Sequence, residues 1–154
     1  MREILFRGKQ NEGKWVEGSY FKHDTVKVCF SSDDPKPRHL IIQDGFCDWG
    51  FEPPIHCVDV DPETVGQFTG LTDKNGKNGK KIFEGDIGKY KQTDGAKLNG
   101  VPIICIGKVV YNDKTASYAV ESKDSAGRKY FDYFPIKDFE VIGNIHDNPE
   151  LVEG

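Results

Sequence analysis

The segment from Asp73 to Glu84 carries the residue types of a calcium-binding loop. Asp73, Asn75 and Glu84 stand at the first, third and twelfth positions of such a loop, where oxygen ligands are needed. Lys77 occupies the fifth position, where another ligand oxygen belongs, and Asn78 replaces the glycine of the sixth. The sequence therefore predicts a lysine-rich hairpin loop at this place, and no calcium site.

Cysteine and histidine side chains offer the ligand types of a zinc site. The candidate ligands are Cys29, Cys47 and Cys57, with either His39 or His56. Structural zinc sites usually carry their ligands as close pairs, and no two of the four cysteines form a CxxC pair. In a chain with no export signal, reduced and partly buried thiols are the favoured interpretation. We therefore predict no metal and no cofactor, with zinc as the alternative.

Lysines gather in the same loop and in the segment that follows it. The candidate nucleic-acid contacts are Lys74, Lys77, Lys80, Lys81 and Lys89. Lysines next to an aromatic residue such as Tyr90 suit phosphate and base contacts, and small barrels bind nucleic acid in this way. The net charge of −4 weighs against a dedicated nucleic-acid binder. Nucleic-acid binding is therefore an alternative prediction, and a solvated loop is the competing interpretation.

Carboxylates also cluster near this block. They are Asp59, Asp61, Glu63, Glu84 and Asp86. Paired carboxylates perform acid–base chemistry or hold Mg²⁺, but Asp61 and Glu63 suit the start of a helix and Asp86 suits a turn. The sequence contains no GxSxG, Walker, HExxH or GxGxxG motif. No catalytic residue is predicted, although an enzyme of unrecognised type stays an open alternative.

Three aromatic residues stand in the irregular stretch 45–54: Phe46, Trp49 and Phe51. If exposed, they would form a contact surface for a protein partner. The competing interpretation is that they pack in the core. We keep them as candidate protein contacts.

The elements that would position these residues are short strands. Glycine, proline and aromatic residues are frequent, and turn signals recur every ~8–12 residues, which predicts a sandwich or a small barrel. Strands are predicted in a hairpin over 2–21 and at 25–30, 39–42, 81–83, 87–90, 101–111, 118–121, 129–134 and 139–145. A helix of about two turns is predicted near 62–68. The composition changes near residue 60, which predicts an N-terminal β unit over 1–60 and a second unit over 61–154.

Three blocks of sequence carry a family resemblance. They are REILFRG at 2–8, the middle block with VDPETVGQFTGLTDKNG at 60–76 and KIFEGDI at 81–87, and FEVIGNIHDNPEL at 139–151. Together they resemble the YopX family of phage and prophage proteins. The resemblance implies a C-terminal SH3-like β-roll and a phage or prophage origin, and it implies no activity or site residue. The loop 73–81 carries an extra Asn-Gly-Lys, which puts in doubt any role that needs a fixed loop length.

The functional prediction follows from these observations. The charged opening segment has no signal-peptide pattern, and no apolar run is long enough for a membrane span, so we expect a protein of the bacterial host cytoplasm with no membrane contact. We predict a non-enzymatic accessory protein that binds a host or phage protein, and that self-associates through exposed strand edges.

Overall fold

The chain folds mainly into antiparallel β-strands, as predicted. The computed structural model describes residues 3–24, 36–45, 54–75, 79–92, 97–98, 100–123, 127–134 and 138–153. The predicted strand at 25–30 and the candidate contacts Phe46, Trp49 and Phe51 lie outside these ranges. No helix in the described part of the chain is long and apolar enough to cross a membrane.

The described ranges contain thirteen strands, one 3₁₀ turn and one short helix. The strands are β1 Phe6–Lys9, β2 Trp15–His23, β3 Arg38–Asp44, β4 Ile55–Asp59, β5 Gly66–Thr72, β6 Lys81–Phe83, β7 Asp86–Lys91, β8 Lys97–Leu98, β9 Val101–Pro102, β10 Ile104–Asn112, β11 Ser117–Lys123, β12 Lys129–Tyr133 and β13 Glu140–Asn144. The 3₁₀ turn is Pro62–Thr64 and the helix is α1 Glu150–Glu153.

The strands form two large antiparallel sheets. One has six strands in the order β4-β3-β2-β1-β5-β6, and the other has five in the order β12-β11-β10-β7-β13. Strands β8 and β9 form a separate two-stranded sheet. Within the described residues no sheet closes into a barrel, so the broad class is confirmed and a closed barrel is not observed.

The contacts divide the chain into two units, Met1–Gln67 and Phe68–Gly154. In the first unit, β1 and β2 form the predicted hairpin, with Phe6 opposite Gly18 and Lys9 opposite Trp15. Asn11 and Gly13 both suit the left-handed positions of its turn, but only Gly13 has a positive φ, of 88°. The boundary at residue 60 stays a prediction.

The predicted two-turn helix near 62–68 is wrong beyond its first turn. Asp61 caps this turn as expected, because its Oδ1 accepts the N–H of Glu63 at 3.0 Å. The helical conformation ends at Thr64, and strand β5 begins at Gly66. Gln67 pairs with Phe6, so strand pairing overrides the local helix signal.

The second unit has its own hydrophobic core. The buried members are Ile82, Tyr90, Cys105, Val109, Val120 and Phe139. The Phe139 ring lies over Gly88 of β7, where a Cβ atom would stand 2.1 Å from the ring. The core therefore requires a glycine at this position, because only a bare backbone leaves room for the ring.

The predicted long strand over 101–111 is interrupted at Ile103, which separates β9 from β10. Strand β10 is the central strand of its sheet, because it lies between β7 and β11. A glycine such as Gly107 permits a bulge within a strand, but the register runs through this residue without a shift. The irregularity lies in β13 instead, between Val141 and Gly143.

Candidate functional site

Two of the predicted lysine contacts converge on one carboxylate. The Nζ atoms of Lys74 and Lys89 lie 2.6 Å and 3.3 Å from Oε2 of Glu140. Hydrogen bonds from Lys74 and then Lys89 lower the pKa of Glu140. Lys80 and Lys81 are exposed, and Lys77 lies outside the described residues.

A small pocket of about 380 Å³ adjoins these groups. Its lining includes Lys91, which lies 3.1 Å from Asp138, together with Lys74, Lys89 and Glu140. Carboxylates therefore neutralise much of the positive charge that the sequence places here. The arrangement suits phosphate binding less well than the sequence alone indicates.

In the calcium-like loop, the Asp73 carboxylate accepts hydrogen bonds from backbone N–H groups of the loop itself. Oδ1 of Asp73 accepts the N–H of Asn75 at 3.1 Å and the N–H of Lys80 at 3.2 Å. The Asp73 side chain is buried, and Asp86 similarly accepts the N–H of Phe83 at 2.8 Å. Both carboxylates therefore hold turns in place. Among the residues with described positions, no group of three His, Cys, Asp or Glu side chains is arranged for a metal ion.

Only some of the candidate zinc ligands lie within the described residues. Cys57 is an exposed thiol on β4, and Nδ1 of His39 lies 2.6 Å from the hydroxyl of Tyr20. Cys29 and Cys47 lie outside the described ranges, so the zinc alternative stays a prediction.

A buried polar network joins four strands of the second unit. The Tyr90 hydroxyl donates to Oδ2 of Asp132 at 2.6 Å and lies 2.9 Å from Oγ of Ser122. The Tyr130 hydroxyl donates to Sγ of Cys105 at 3.2 Å. Burial, reinforced by the bond to Asp132 and partly offset by Ser122, raises the pKa of Tyr90 well above its ordinary value. Burial, reinforced by the bond to Cys105 and partly offset by Ser122, raises the pKa of Tyr130 to about 12. Both phenols stay protonated near neutral pH, so neither serves as a general base there.

Alkaline pH is expected to unfold the second unit through these phenols. Because the folded-state pKa lies above the unfolded value of about 10, the stabilisation is complete below pH ~10 and declines as pH rises toward 12. Urea unfolding of the wild type and of Tyr130→Phe between pH 9 and pH 12 measures this. The variant should lose less stability over that interval, and an identical decline in both proteins would contradict the assignment.

The side of the five-stranded sheet opposite the buried core forms a second surface, here called the outer face. Side chains alternate across a strand, so every second residue of β7, β10, β11 and β12 belongs to it. Its members are Ile87, Lys89, Lys91, Ile104, Ile106, Lys108, Val110, Asn112, Ser117, Ala119, Glu121, Lys123, Lys129, Phe131 and Tyr133. Ile87 and Ala119 are fully buried, so this face is covered at their positions. One predicted site residue, Lys89, belongs to the outer face.

Four large apolar side chains of the outer face are strongly exposed. The exposed fractions are 58% for Ile104, 45% for Ile106, 43% for Phe131 and 47% for Tyr133. Single exposed apolar residues are ordinary, whereas several on one sheet face indicate an interaction surface. These two pairs, on β10 and on β12 with β11 between them, make the outer face the strongest candidate site in the described structure.

Residues 145–153, here called the covering segment, lie against part of the outer face. Oδ1 of Asn144 accepts the N–H groups of His146 and Asp147, both at 2.9 Å, and so turns the chain after β13. Lys123 Nζ donates to the carbonyl oxygen of Val152 at 3.2 Å. A groove of about 1210 Å³ remains between the covering segment and the sheet.

The groove is lined by an apolar floor and a basic rim. Its lining includes Ile104, Ile106, Ile145, Leu151, Lys108, Glu121, Lys123 and Lys129. Oε1 of Glu121 lies 3.0 Å from Lys129 and 3.6 Å from Lys108. Burial opposes ionisation of Glu121, but these lysines outweigh it and lower its pKa. One carboxylate therefore stands among three lysines on the sheet side of the groove. Glu153 of the covering segment also lines the groove, so the lining carries three basic and two acidic side chains and stays net positive.

Sequence reasoning missed this groove. The sequence predicts only a strand over 101–111, in which Ile104, Ile106 and Lys108 alternate with Cys105 and Val109. The available signal was that both faces of the strand are apolar, which requires cover on both sides. Lys123 and Lys129 carry no local signal, because only strand pairing places them opposite each other.

A family model described as "YopX protein" matches residues 5–153, which is nearly the whole chain. No curated protein matches it.

Proposed function

Because the chain belongs to the YopX family, whose function is uncharacterised, we propose that it acts as a non-enzymatic module that binds a protein partner through the outer face. The observation that carries the proposal is the exposure of Ile104, Ile106, Phe131 and Tyr133 on one sheet face. Burying such side chains against a partner stabilises a complex by ~25 cal/mol per Å² of apolar surface. The entropy that both proteins lose on association offsets part of this gain.

The setting of this activity is part of the same proposal. We place the protein in the bacterial host cytoplasm as a phage or prophage accessory protein, with a host or phage protein as partner and with self-association as a further property. We also propose an SH3-like roll for the second unit. It is supported by the sheet order, in which the last strand β13 returns to pair with β7.

Two alternatives have weaker support. Nucleic-acid binding through Lys74, Lys77, Lys80, Lys81 and Lys89 is disfavoured because Glu140 already pairs with Lys74 and Lys89. An enzyme of unrecognised type has less support because Tyr90 and Tyr130, the buried phenols of the polar network, stay protonated near neutral pH and so offer no general base there. Neither alternative draws on the apolar part of the outer face.

Site-specific photo-crosslinking tests the proposal. A benzophenone side chain is placed at Ile106 in the groove, and a matched control is placed at Lys114, which is exposed in the turn at the other end of β10. In a lysate of the bacterial host, the probe at Ile106 should yield a protease-sensitive adduct of one protein, and the probe at Lys114 should not. Nuclease-sensitive adducts, or equal labelling from the two positions, would overturn the proposal.

A further inference from the structure

We infer that the groove takes a short acidic segment of the partner, in which apolar residues are flanked by carboxylates. The inference rests on the proposed function and specifies the chemistry of its ligand. Three lysines against one glutamate leave the sheet side of the groove positive. Ile104 and Ile106 supply an apolar floor. An acidic ligand with apolar side chains matches both properties.

The covering segment itself shows which chemistry this face accepts. Its sequence Glu150-Leu151-Val152-Glu153 places two apolar residues between two carboxylates. Leu151 and Val152 line the groove and are half-buried, and the Val152 carbonyl accepts a hydrogen bond from Lys123. A partner segment of the same composition would make the same kinds of contact on the uncovered part of the face.

The size of the groove agrees with a peptide ligand. Its volume of about 1210 Å³ exceeds the range of ~300–1,000 Å³ that is usual for small-molecule pockets. Its lining spans β10, β11 and β12, so an extended segment can cross several strands. The groove therefore offers room for several residues beside the covering segment.

A single-stranded nucleic acid is the competing occupant, because lysines beside Phe131 and Tyr133 resemble a stacking platform. The acidic groups in and around the groove disfavour a nucleic acid. Glu121 stands between Lys108 and Lys129 and would face the phosphates. The second unit also carries as many acidic as basic residues. An acidic peptide, with its sparser charge, tolerates this pattern better than a continuous phosphate backbone does.

Fluorescence anisotropy with the full chain tests the inference. The probes are a labelled peptide with the sequence of residues 147–153, the same peptide with its glutamates replaced by lysine, and an oligothymidine of about twenty nucleotides. We expect binding of the acidic peptide only, weakened by added salt. Lys123→Glu with Lys129→Glu should weaken it at least ~10-fold, and Lys123→Ala with Lys129→Ala should weaken it less. Lys114→Glu, the matched control, should change it less than ~2-fold.

Each result separates the inference from the function on which it rests. Equal binding of the lysine peptide would overturn the acidic preference and leave the protein-binding module standing. If no peptide binds while the Ile106 adduct forms, the inference fails alone. Binding of the oligonucleotide only, without a protein adduct, would overturn both. Circular dichroism of the variants checks that a lost signal does not reflect unfolding.

Discussion

Replacing Phe139 with alanine is expected to lower the free energy of unfolding by about 3–5 kcal/mol. The Phe139 side chain is 2% exposed, and its ring packs edge-on against Phe134 at 5.4 Å between centroids. It also packs against Tyr90 at 6.1 Å. Truncation would leave a cavity beside the buried polar network, and the rigid sheet cannot collapse into it.

Urea unfolding followed by far-UV circular dichroism measures this loss. Phe131→Ala is the matched control, because it removes the same side chain from an outer-face position that is 43% exposed. It should change the free energy of unfolding by no more than ~1 kcal/mol. Similar losses for Phe131→Ala and Phe139→Ala would contradict the assignment of the core to one face of the sheet.

Replacing Gly88 with alanine is expected to destabilise the second unit by about 1–3 kcal/mol. Alanine is normally the better residue within a strand. Here its Cβ would lie 2.1 Å, 2.4 Å and 2.6 Å from three atoms of the Phe139 ring. The ring would have to leave its position over β7, which disturbs its contact with Tyr90.

A double-mutant cycle with Phe139→Leu tests this cause. The smaller leucine should relieve part of the clash, so the double variant should lose less stability than the sum of the two single variants. Equal or additive losses would show that Gly88 is required for another reason. The same urea titration yields all four free energies.

The sequence predicts local features well where neighbouring residues determine them. The hairpin over β1 and β2 follows from alternation and a glycine-containing turn, and the Asp61 cap follows from its Pro62 neighbour. The family also follows from sequence, since three blocks resemble it and the family match covers 5–153. Each of these inferences needs only a few adjacent residues.

Features that depend on distant residues could not be predicted. The helix near 62–68 is short because Gln67 pairs with Phe6, some sixty residues away in the chain. The lysine loop looked strongly basic, but Glu140 lies 66 residues from Lys74 and neutralises part of it. The groove forms where the covering segment folds back on β10. Its lining residues come from distant parts of the chain, so no single stretch of sequence predicts it.

Methyl NMR of isoleucine residues tests the outer-face docking surface most directly. The protein is labelled at isoleucine δ1 methyl groups and titrated with the acidic peptide of residues 147–153. The account predicts shifts of the Ile104 and Ile106 signals, while Ile41, fully buried in the first unit, stays unchanged. Peptide binding that leaves Ile104 and Ile106 unshifted would contradict the account.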